Sequence, residues 1–291
     1  MPSAEYVSSA ESVSSGGAGA TEFPRVGRGD LVEGLRLILA LLTVVPVGRL
    51  SQITAGSARV AMLGAPLARA VMGALAGAVL LGASLVGLPP LVAALLAVAA
   101  LMLGNRGMHV DGLSDTVDGL GAGWNRERAL EVMHLGNAGP MGVAAIVVTV
   151  GVQAAAWSAL DWASPGAAAR SALLVATLVT CSGVAATLAA ARGVPAAPQS
   201  GLAREVSSVV PLSLVVTWLL LAAVAMTAAA TWAGLAWWTG PAAIVAAATV
   251  VGWLLWRSVR VFGGVTGDVM GACIELALTA ASVAVLVPLG R

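Results

Sequence analysis

From residue 70 onward the chain alternates between long apolar segments and short polar connections. A transmembrane helix needs about 20 mostly apolar residues, and seven segments approach this length. They cover residues 70–87, 88–103, 139–160, 171–191, 209–230, 235–256 and 269–289. These segments are rich in Leu, Ala and Val and lack the alternation that is typical of a membrane barrel. The pattern therefore predicts an all-α, polytopic membrane protein with about seven transmembrane helices.

The N-terminal part departs from this pattern. Residues 1–29 are rich in Ser, Gly and Ala and lack the basic and apolar regions of a signal peptide, so we expect a disordered tail. The first apolar run, residues 37–47, is bounded by arginines and is short for a span. We interpret it as a short half-inserted helix that ends near Pro46, with a tilted full span as the alternative. Residues 30–291 are expected to form a single integral membrane domain.

The composition agrees with a membrane protein and excludes some chemistry. The chain is 59% hydrophobic and 10% charged, and its mean hydropathy is +0.94, whereas soluble domains are about 25% charged. All 15 basic residues are arginines, so a lysine nucleophile, a Schiff base and a P-loop lysine are excluded. Cys181 and Cys273 lie within apolar runs, so we interpret them as packing residues rather than as a disulfide or a zinc site.

The arginines are distributed unevenly across the predicted spans. One side of the membrane would carry the connections around residues 48–69, 104–138, 192–208 and 257–268, which contain Arg49, Arg59, Arg69, Arg106, Arg126, Arg128, Arg192, Arg204, Arg257 and Arg260. The other side would carry Arg170 and the C-terminal Arg291. The arginine-rich side is therefore predicted to be cytoplasmic. The three arginines before the first apolar run join that side only if this run does not cross, which favours the half-inserted helix.

An acidic segment, residues 104–123, begins where the second predicted span ends. Asp111, Asp115 and Asp118 have the spacing i, i+4, i+7, so on a helix they would share one face. Carboxylates that converge repel each other unless a cation joins them, and oxygen ligands favour Mg²⁺ or a similar hard ion. A solvated connection is the alternative, but uncompensated acids are costly beside a membrane span. The segment thus predicts a metal or phosphate site, whereas His109 alone is more typical of a packing residue.

Two further cytoplasmic segments have weaker signals. The segment NRERALEVMHLGNAGPMG, residues 125–142, predicts an amphipathic surface helix, which Asn125 would cap and in which Arg128 and Glu131 would pair. The Pro-rich segment 192–206 is interpreted as a connector, with a lobe that covers the substrate as the alternative.

A second polar constellation lies at residues 257–277. Arg257 and Arg260 could bind phosphate, and a small-residue turn containing Gly263, Gly264 and Thr266 leads into a helix that begins near Asp268. Such a helix N-terminus is an anion site, although Asp268 is equally suited to cap the helix. Glu275 lies two turns later within an apolar run, where an acid usually faces the protein interior or a polar cavity.

The segment GMHVDGLSDTVDGL closely resembles the signature of the cobalamin synthase family, the adenosylcobinamide-GDP ribazoletransferases. The resemblance extends to GLRLILALLTVVPVGRL and FGGVTGDVMGA and covers most of residues 33–289. It implies a transferase of the bacterial inner membrane, active on the cytoplasmic side in a late step of cobalamin biosynthesis. This enzyme would join adenosylcobinamide-GDP to α-ribazole, or to α-ribazole 5′-phosphate, and release GMP. The chain departs from many relatives at residues 135–137 and 182–183.

The resemblance also implies roles for individual residues. Asp111, Asp115 and Asp118 would hold Mg²⁺, and Asp268 would be a further ligand or the base that positions the attacking hydroxyl. Phosphate oxygens would be bound by the side chains or backbone of Arg106, Arg257, Arg260, Gly263, Gly264 and Thr266. His109 would contact a phosphate or orient an aspartate. The expected partners are the corrinoid nucleotide, α-ribazole and membrane lipid, with no nucleic acid; the oligomeric state is open.

Two other function classes fit part of the pattern. A CDP-alcohol phosphotransferase also places aspartates beside a span, but its longer D-G-x-x-A-R series is missing here. A transporter with acids on an ion path would place them nearer the middle of the membrane.

Overall fold

Twelve helices, with no strand beyond two isolated β-bridges, account for the regular structure in the computed structural model, which describes residues 26–50, 52–198 and 200–287. The helices are α1 (Arg28–Leu42), α2 (Ala55–Leu85), α3 (Pro90–Gly104), α4 (Met108–Gly121), α5 (Arg126–Met133), α6 (Pro140–Ser158), α7 (Pro165–Ser182), α8 (Val184–Ala189), α9 (Leu202–Val206), α10 (Leu212–Trp232), α11 (Thr239–Phe262) and α12 (Gly267–Ala284). The all-α prediction is confirmed.

The structure offers six or seven candidate spans, which agrees with the prediction of about seven. Within the described residues, six helical segments are long and apolar enough to cross a membrane alone, namely α2, α6, α7 together with α8, α10, α11 and α12. A seventh candidate consists of α3 and α4 together, although the two helices are bent by 89°. Because of this bend, α4 does not continue in the direction of α3. We therefore treat α4 as a helix at the end of the bundle and not as part of a span.

Several predicted boundaries are wrong. Helix α2 begins at Ala55, well before residue 70, so Arg59 and Arg69 lie on a helix and are buried instead of occupying a loop. Its start is set by Thr54, whose hydroxyl accepts a hydrogen bond from the Ser57 N–H at 3.0 Å. The remaining differences are shifts of several residues at the ends of other helices.

Helices α1 and α11 show the same kind of shift. Helix α1 begins at Arg28, inside the predicted tail, and ends at Leu42, before Pro46; residues 1–25 lie outside the described residues. How deeply α1 enters the membrane stays a prediction. Helix α11 continues to Phe262, so Arg257 and Arg260 lie on its last turns and not in a loop.

Small residues let the longest helix, α2, pack closely against its neighbours. A Cβ at Gly34 of α1 would lie 2.7 Å from Val60 Cγ1. On the other side of α2, a Cβ at Gly73 would overlap the carbonyl oxygen of Ala176 on α7. Apolar burial drives helix association only weakly in lipid, so such close contacts between small residues are a main source of stability.

Most of the irregular backbone gathers at one end of the bundle, which we call the site end. Among the described residues it comprises 43–50, 52–54, 104–139, 190–198, 200–211 and 263–266, and these ranges also contain the short helices α4, α5 and α9. Backbone hydrogen bonds connect these segments: the Val44 N–H donates to Gly104 O at 2.7 Å, and the Ala197 N–H donates to Val265 O at 2.9 Å. Polar residues from distant parts of the sequence therefore meet at this end.

The role of Gly73 can be tested with a matched substitution on the same helix. We expect Gly73→Ala to lower the free energy of unfolding by about 1–3 kcal/mol, because the added methyl group overpacks the contact with α7. Gly82→Ala is the control, since nothing lies within 4 Å of a Cβ at that position. Thermal unfolding of both variants in detergent measures the difference, and equal midpoints would contradict the packing argument.

Candidate active site

A sharp bend between α3 and α4 creates the site. Arg106 and Gly107 adopt left-handed backbone conformations, with φ of 59° and 72°; glycine adopts this region freely, whereas it is unfavourable for arginine. The Asn105 Oδ1 accepts a hydrogen bond from the Gly107 N–H at 3.0 Å. The Arg106 Nη2 donates to Ala40 O at 2.7 Å, which links the bend to α1. These contacts direct α4 at a steep angle to α3.

Helix α4 brings its acids against the first turn of α12. Asp111, Asp115 and Asp118 all lie on α4 and share one face, as their spacing predicted. Asp111 is exposed, whereas Asp115 and Asp118 are half-buried. Gly112 allows the approach, because a Cβ there would lie 2.7 Å from the carbonyl oxygen of Asp268. Gly271 similarly packs against the His109 backbone. The aspartates of α4 and Asp268, which are far apart in the sequence, therefore lie close together.

The electrostatics agree with this proximity. Burial, together with the negative charges of Asp111, Asp268 and Asp118, raises the pKa of Asp115 to about 6. His134, at the C-terminal end of α5, opposes this rise. The sequence interpretation missed His134, because it lies in a helix that reads as an ordinary surface helix and only the packing of α5 brings it near the acids.

Asp118 has an additional structural role that the sequence interpretation missed. Its carboxylate accepts hydrogen bonds from the Gly139 N–H at 2.6 Å and the Gly142 N–H at 2.9 Å. These amides lie at the N-terminus of α6, where backbone N–H groups lack helical partners and a negative charge is favourable. Asp118 therefore joins α4 to α6.

The four aspartates suit a hard cation by chemical type. Within the described residues, however, no group of three or more His, Cys, Asp or Glu side chains is already arranged to hold a metal ion. Oxygen-only donors are those that Mg²⁺ prefers. A cation between Asp111, Asp115 and Asp268 would relieve the repulsion that, together with burial, raises the pKa of Asp115. The residues present therefore fit such an ion, although the metal site itself stays a prediction.

The residues of the turn between α11 and α12 have roles in capping and packing. Thr266, not Asp268, caps α12, since its hydroxyl accepts a hydrogen bond from the Val269 N–H at 3.2 Å. Gly263 ends α11 with a φ of 84°, and Gly264 packs so closely against Ala196 and Ala197 that a side chain would overlap them. Substrate contacts of these turn residues stay predictions.

The arginines that were predicted to bind phosphate also have partners. The Arg257 guanidinium lies over the Trp124 ring, 3.8 Å from its centroid, and Arg260 lies over Trp256 at 4.4 Å. Arg126, which the sequence pattern placed on a plain surface helix, packs against Gly263. The contact with Trp124 holds Arg257 near the connection between α4 and α5.

A buried polar network lies beneath the acids. The prediction that Glu275 faces the interior is confirmed: it is 6% exposed, and its Oε2 accepts a hydrogen bond from Gln153 Nε2 at 3.1 Å. His109 is also buried, and its Nδ1 lies 3.6 Å from Glu275 Oε1. Its one hydrogen bond, 3.0 Å long, joins Nδ1 to Asn105 and not to an aspartate of the site. His109 is therefore built into the bundle interior.

Arg69 belongs to the same interior network. It is fully buried, its Nε donates to Ser182 Oγ at 3.2 Å, and its charge interacts with that of Glu275. This hydrogen bond joins Ser182 on α7 to Arg69 on α2. An arginine buried in a membrane bundle is costly without such compensation.

Comparison with known proteins places the chain in a family. Residues 34–286 match the family described as Cobalamin-5-phosphate synthase. The chain belongs to this family. The match includes α4, the turn before α12 and all four aspartates, so the site described above lies within the family's common region.

Individual relatives agree with this assignment. The chain is 44% identical to a protein from Nocardioides sp. over 85% of its own length and 96% of the relative. It is 34% identical to a protein from Bradyrhizobium diazoefficiens over 84% of its own length and 89% of the relative. A protein from Corynebacterium efficiens is also 34% identical, over 88% of this chain and 90% of the relative. All three relatives are named adenosylcobinamide-GDP ribazoletransferase. No solved structure matches the chain.

Asp115 and Asp118 are expected to affect stability in opposite directions. Asp118→Ala removes two hydrogen bonds at the start of α6 and should lower the free energy of unfolding by about 1–2 kcal/mol. Asp115→Ala removes a carboxylate whose charged form is disfavoured in the fold. This destabilisation grows as the pH rises above the ordinary pKa of an aspartate and is complete above the folded pKa of about 6, so the substitution should raise the unfolding midpoint at pH 8 in Mg²⁺-free buffer. Thermal unfolding of both variants checks this, and a lower midpoint for Asp115→Ala would contradict the assigned repulsion.

Proposed function

We propose that this chain transfers the phosphocobinamide group of adenosylcobinamide-GDP to α-ribazole, or to α-ribazole 5′-phosphate, with release of GMP. The activity is the one for which its relatives are named. The observation that supports the location of the reaction is the convergence of Asp111, Asp115 and Asp268 at the site end of a membrane bundle. The product would be adenosylcobalamin or its 5′-phosphate.

The reaction is a displacement at phosphorus. The 3′-hydroxyl of the ribazole attacks the phosphorus that bears cobinamide, the bond from that phosphorus to the GMP oxygen breaks, and GMP leaves with the bonding electrons. The hydroxyl proton must be removed, and Asp268 is suited to accept it because it lies in the cluster and also lines an adjacent cavity. We favour direct transfer, because the site offers no activated nucleophile of its own.

The other site residues bind and orient the diphosphate. Mg²⁺, held by Asp111, Asp115 and a free lone pair of Asp118, would supply charge neutralisation at the leaving phosphate. Asp268 would be a further ligand if it does not serve as the base. Arg257 and Arg260 lie at the site end, where their positive charges favour phosphate oxygens. Arg106 supports the bend and is also close to the site. Family membership gives no support to the CDP-alcohol or transporter alternatives.

We further propose that the site end faces the cytoplasm of the bacterial inner membrane. The described connections at this end contain Arg49, Arg106, Arg126, Arg128, Arg192 and Arg204. The described connections at the opposite end have only Arg170 nearby, in the first turns of α7. The excess of arginines at the site end therefore remains even though Arg59 and Arg69 lie in α2 and not in a loop. The positive-inside rule favours the same orientation as before.

The proposed roles predict a specific pattern of activity losses. Asp111→Asn, Asp115→Asn and Asp268→Asn should each lower the rate of GMP release by about 10²-fold or more, because each removes charge that stabilises the transition state. Glu131→Gln on α5 is the control, since this exposed acid pairs with Arg128, and it should keep the wild-type rate.

The measurement is GMP release by purified protein supplied with adenosylcobinamide-GDP, α-ribazole and a range of Mg²⁺ concentrations. For the ligand roles, the variants should also need more Mg²⁺ for half-maximal rate. Wild-type protein that releases no GMP would refute the proposed function, whereas unchanged rates in all three variants would refute the proposed site.

The orientation can be tested separately by cysteine labelling. Glu131→Cys places an exposed thiol on α5, while the native Cys273 is buried. A membrane-impermeant maleimide should label this variant in inverted inner-membrane vesicles and not in right-side-out vesicles. Labelling of the unsubstituted chain corrects for Cys181, and the reverse pattern would place the site end outside the cytoplasm.

A further inference from the structure

A polar cavity of 620 Å³ lies at the end of the bundle opposite the acid cluster. Helix α6 begins at the site end, where Gly139 and Gly142 bind Asp118, and its last residues reach this cavity. The first turns of α7 and the C-terminal end of α10 form the other walls. All three helices belong to candidate membrane spans, so the cavity lies where these spans leave the hydrocarbon.

Exposed tryptophans mark the same level of the bundle. Trp232 lines the cavity at the end of α10, and Trp237 and Trp238 follow it in the chain; all three are exposed. Tryptophan is enriched where the hydrocarbon of a bilayer meets the headgroup layer. The cavity therefore opens at the depth at which lipid headgroups lie.

Arg170 lines this cavity and lacks a partner in the described part of the chain. Its side chain is half-buried, yet it takes part in no hydrogen bond, ion pair or ring contact there. Partial burial of a charge without a partner is unfavourable. Among the described residues it is also the one arginine near this end of the bundle. Its guanidinium offers several N–H donors to an anionic group such as a phosphate.

Asp161 adds a negative charge to the same cavity. The Ser171 Oγ donates to the Asp161 backbone oxygen at 2.8 Å, which holds Asp161 beside the turn that carries Arg170. Nevertheless, the carboxylate and the guanidinium form no ion pair with each other. The Asp161 Oδ1 accepts from the Ala163 N–H at 3.0 Å, and its other lone pairs are available to a ligand. The cavity thus presents one cation and one anion that do not neutralise each other.

The connection between α6 and α7 holds these charges in place. The Trp162 Nε1 donates to Trp157 O at 3.0 Å, and the Ser164 Oγ accepts from the Ala167 N–H at 3.2 Å and so caps α7. A wall that is ordered before binding lowers the entropic cost of holding a ligand.

We infer that this cavity binds the headgroup of phosphatidylethanolamine, with its phosphate on Arg170 and its ammonium on Asp161. The inference does not depend on the proposed reaction. A zwitterionic headgroup pairs both charges at once, and lipid is the ligand present at this depth. The headgroup of phosphatidylglycerol carries no cation for Asp161, and the cation of phosphatidylcholine has no N–H donors.

Lipid titrations of the purified full-length protein, followed by native mass spectrometry, test the inference. With matched acyl chains, phosphatidylethanolamine should bind about tenfold more tightly than phosphatidylglycerol or phosphatidylcholine, because a charged hydrogen bond to Asp161 is worth at least that factor. Equal affinity of the wild-type protein for the three lipids would overturn the inference.

Substitutions assign the two halves of the headgroup. Asp161→Asn should abolish the preference for phosphatidylethanolamine over phosphatidylcholine, whereas Arg170→Gln should weaken the binding of both lipids by about tenfold. Arg204→Gln and Glu205→Gln are the matched controls, since both residues are exposed on α9 at the site end, and they should bind as the wild type does. If Asp161→Asn and Arg170→Gln bind lipid as the controls do, the cavity is not the headgroup site.

Competition separates a lipid from a soluble anion. Bound phosphatidylethanolamine should resist an excess of inorganic phosphate or of glycerophosphoethanolamine, because its acyl chains also pack against the spans. Displacement by either compound would show that the cavity takes a small phosphate compound, and the lipid assignment would fail.

Discussion

The close approach of α4 to α12 is the constraint on which the candidate site depends. It needs the bend at Arg106 and Gly107, which redirects the chain at the end of α3. It also needs Gly112, whose missing side chain lets the two backbones meet at Asp268. A side chain at residue 112 would overlap the Asp268 backbone, so the two helices would have to separate. The repulsion among the converging carboxylates is the cost of this arrangement, and a bound cation would offset it.

The interior network limits how far these helices can shift. Glu275 on α12 accepts a hydrogen bond from Gln153 on α6 and lies 3.6 Å from the Nδ1 of His109 on α4. Arg69 on α2 adds a positive charge near Glu275. Truncating one partner of such a buried group strands the others, which costs several kcal/mol. The network therefore favours one arrangement of four helices, and the first turn of α4 is held in it.

The two sides of α4 offer different environments for substrates of mixed character. The carboxylates at the site end suit a diphosphate accompanied by a cation, whereas the cavity lined by α1, α8 and α9 is almost entirely apolar. Asp268 lies between these environments. The Pro-rich segment before α9 was interpreted as a connector or a covering lobe, and α9 contributes Ala203 to the cavity wall.

The sequence alone determined those features that depend on local spacing and on transfer to lipid. Apolar segment length predicted the spans, the i, i+4, i+7 spacing predicted the acidic face, and Asn125 predicted the start of α5, where its side chain accepts from the Arg128 N–H. Only the tertiary structure shows that Asp118 on α4 binds the N-terminus of α6, that Arg69 is buried and that His109 lies beside an apolar cavity. These features arise from contacts between residues far apart in the chain. Local hydropathy and spacing do not determine such contacts.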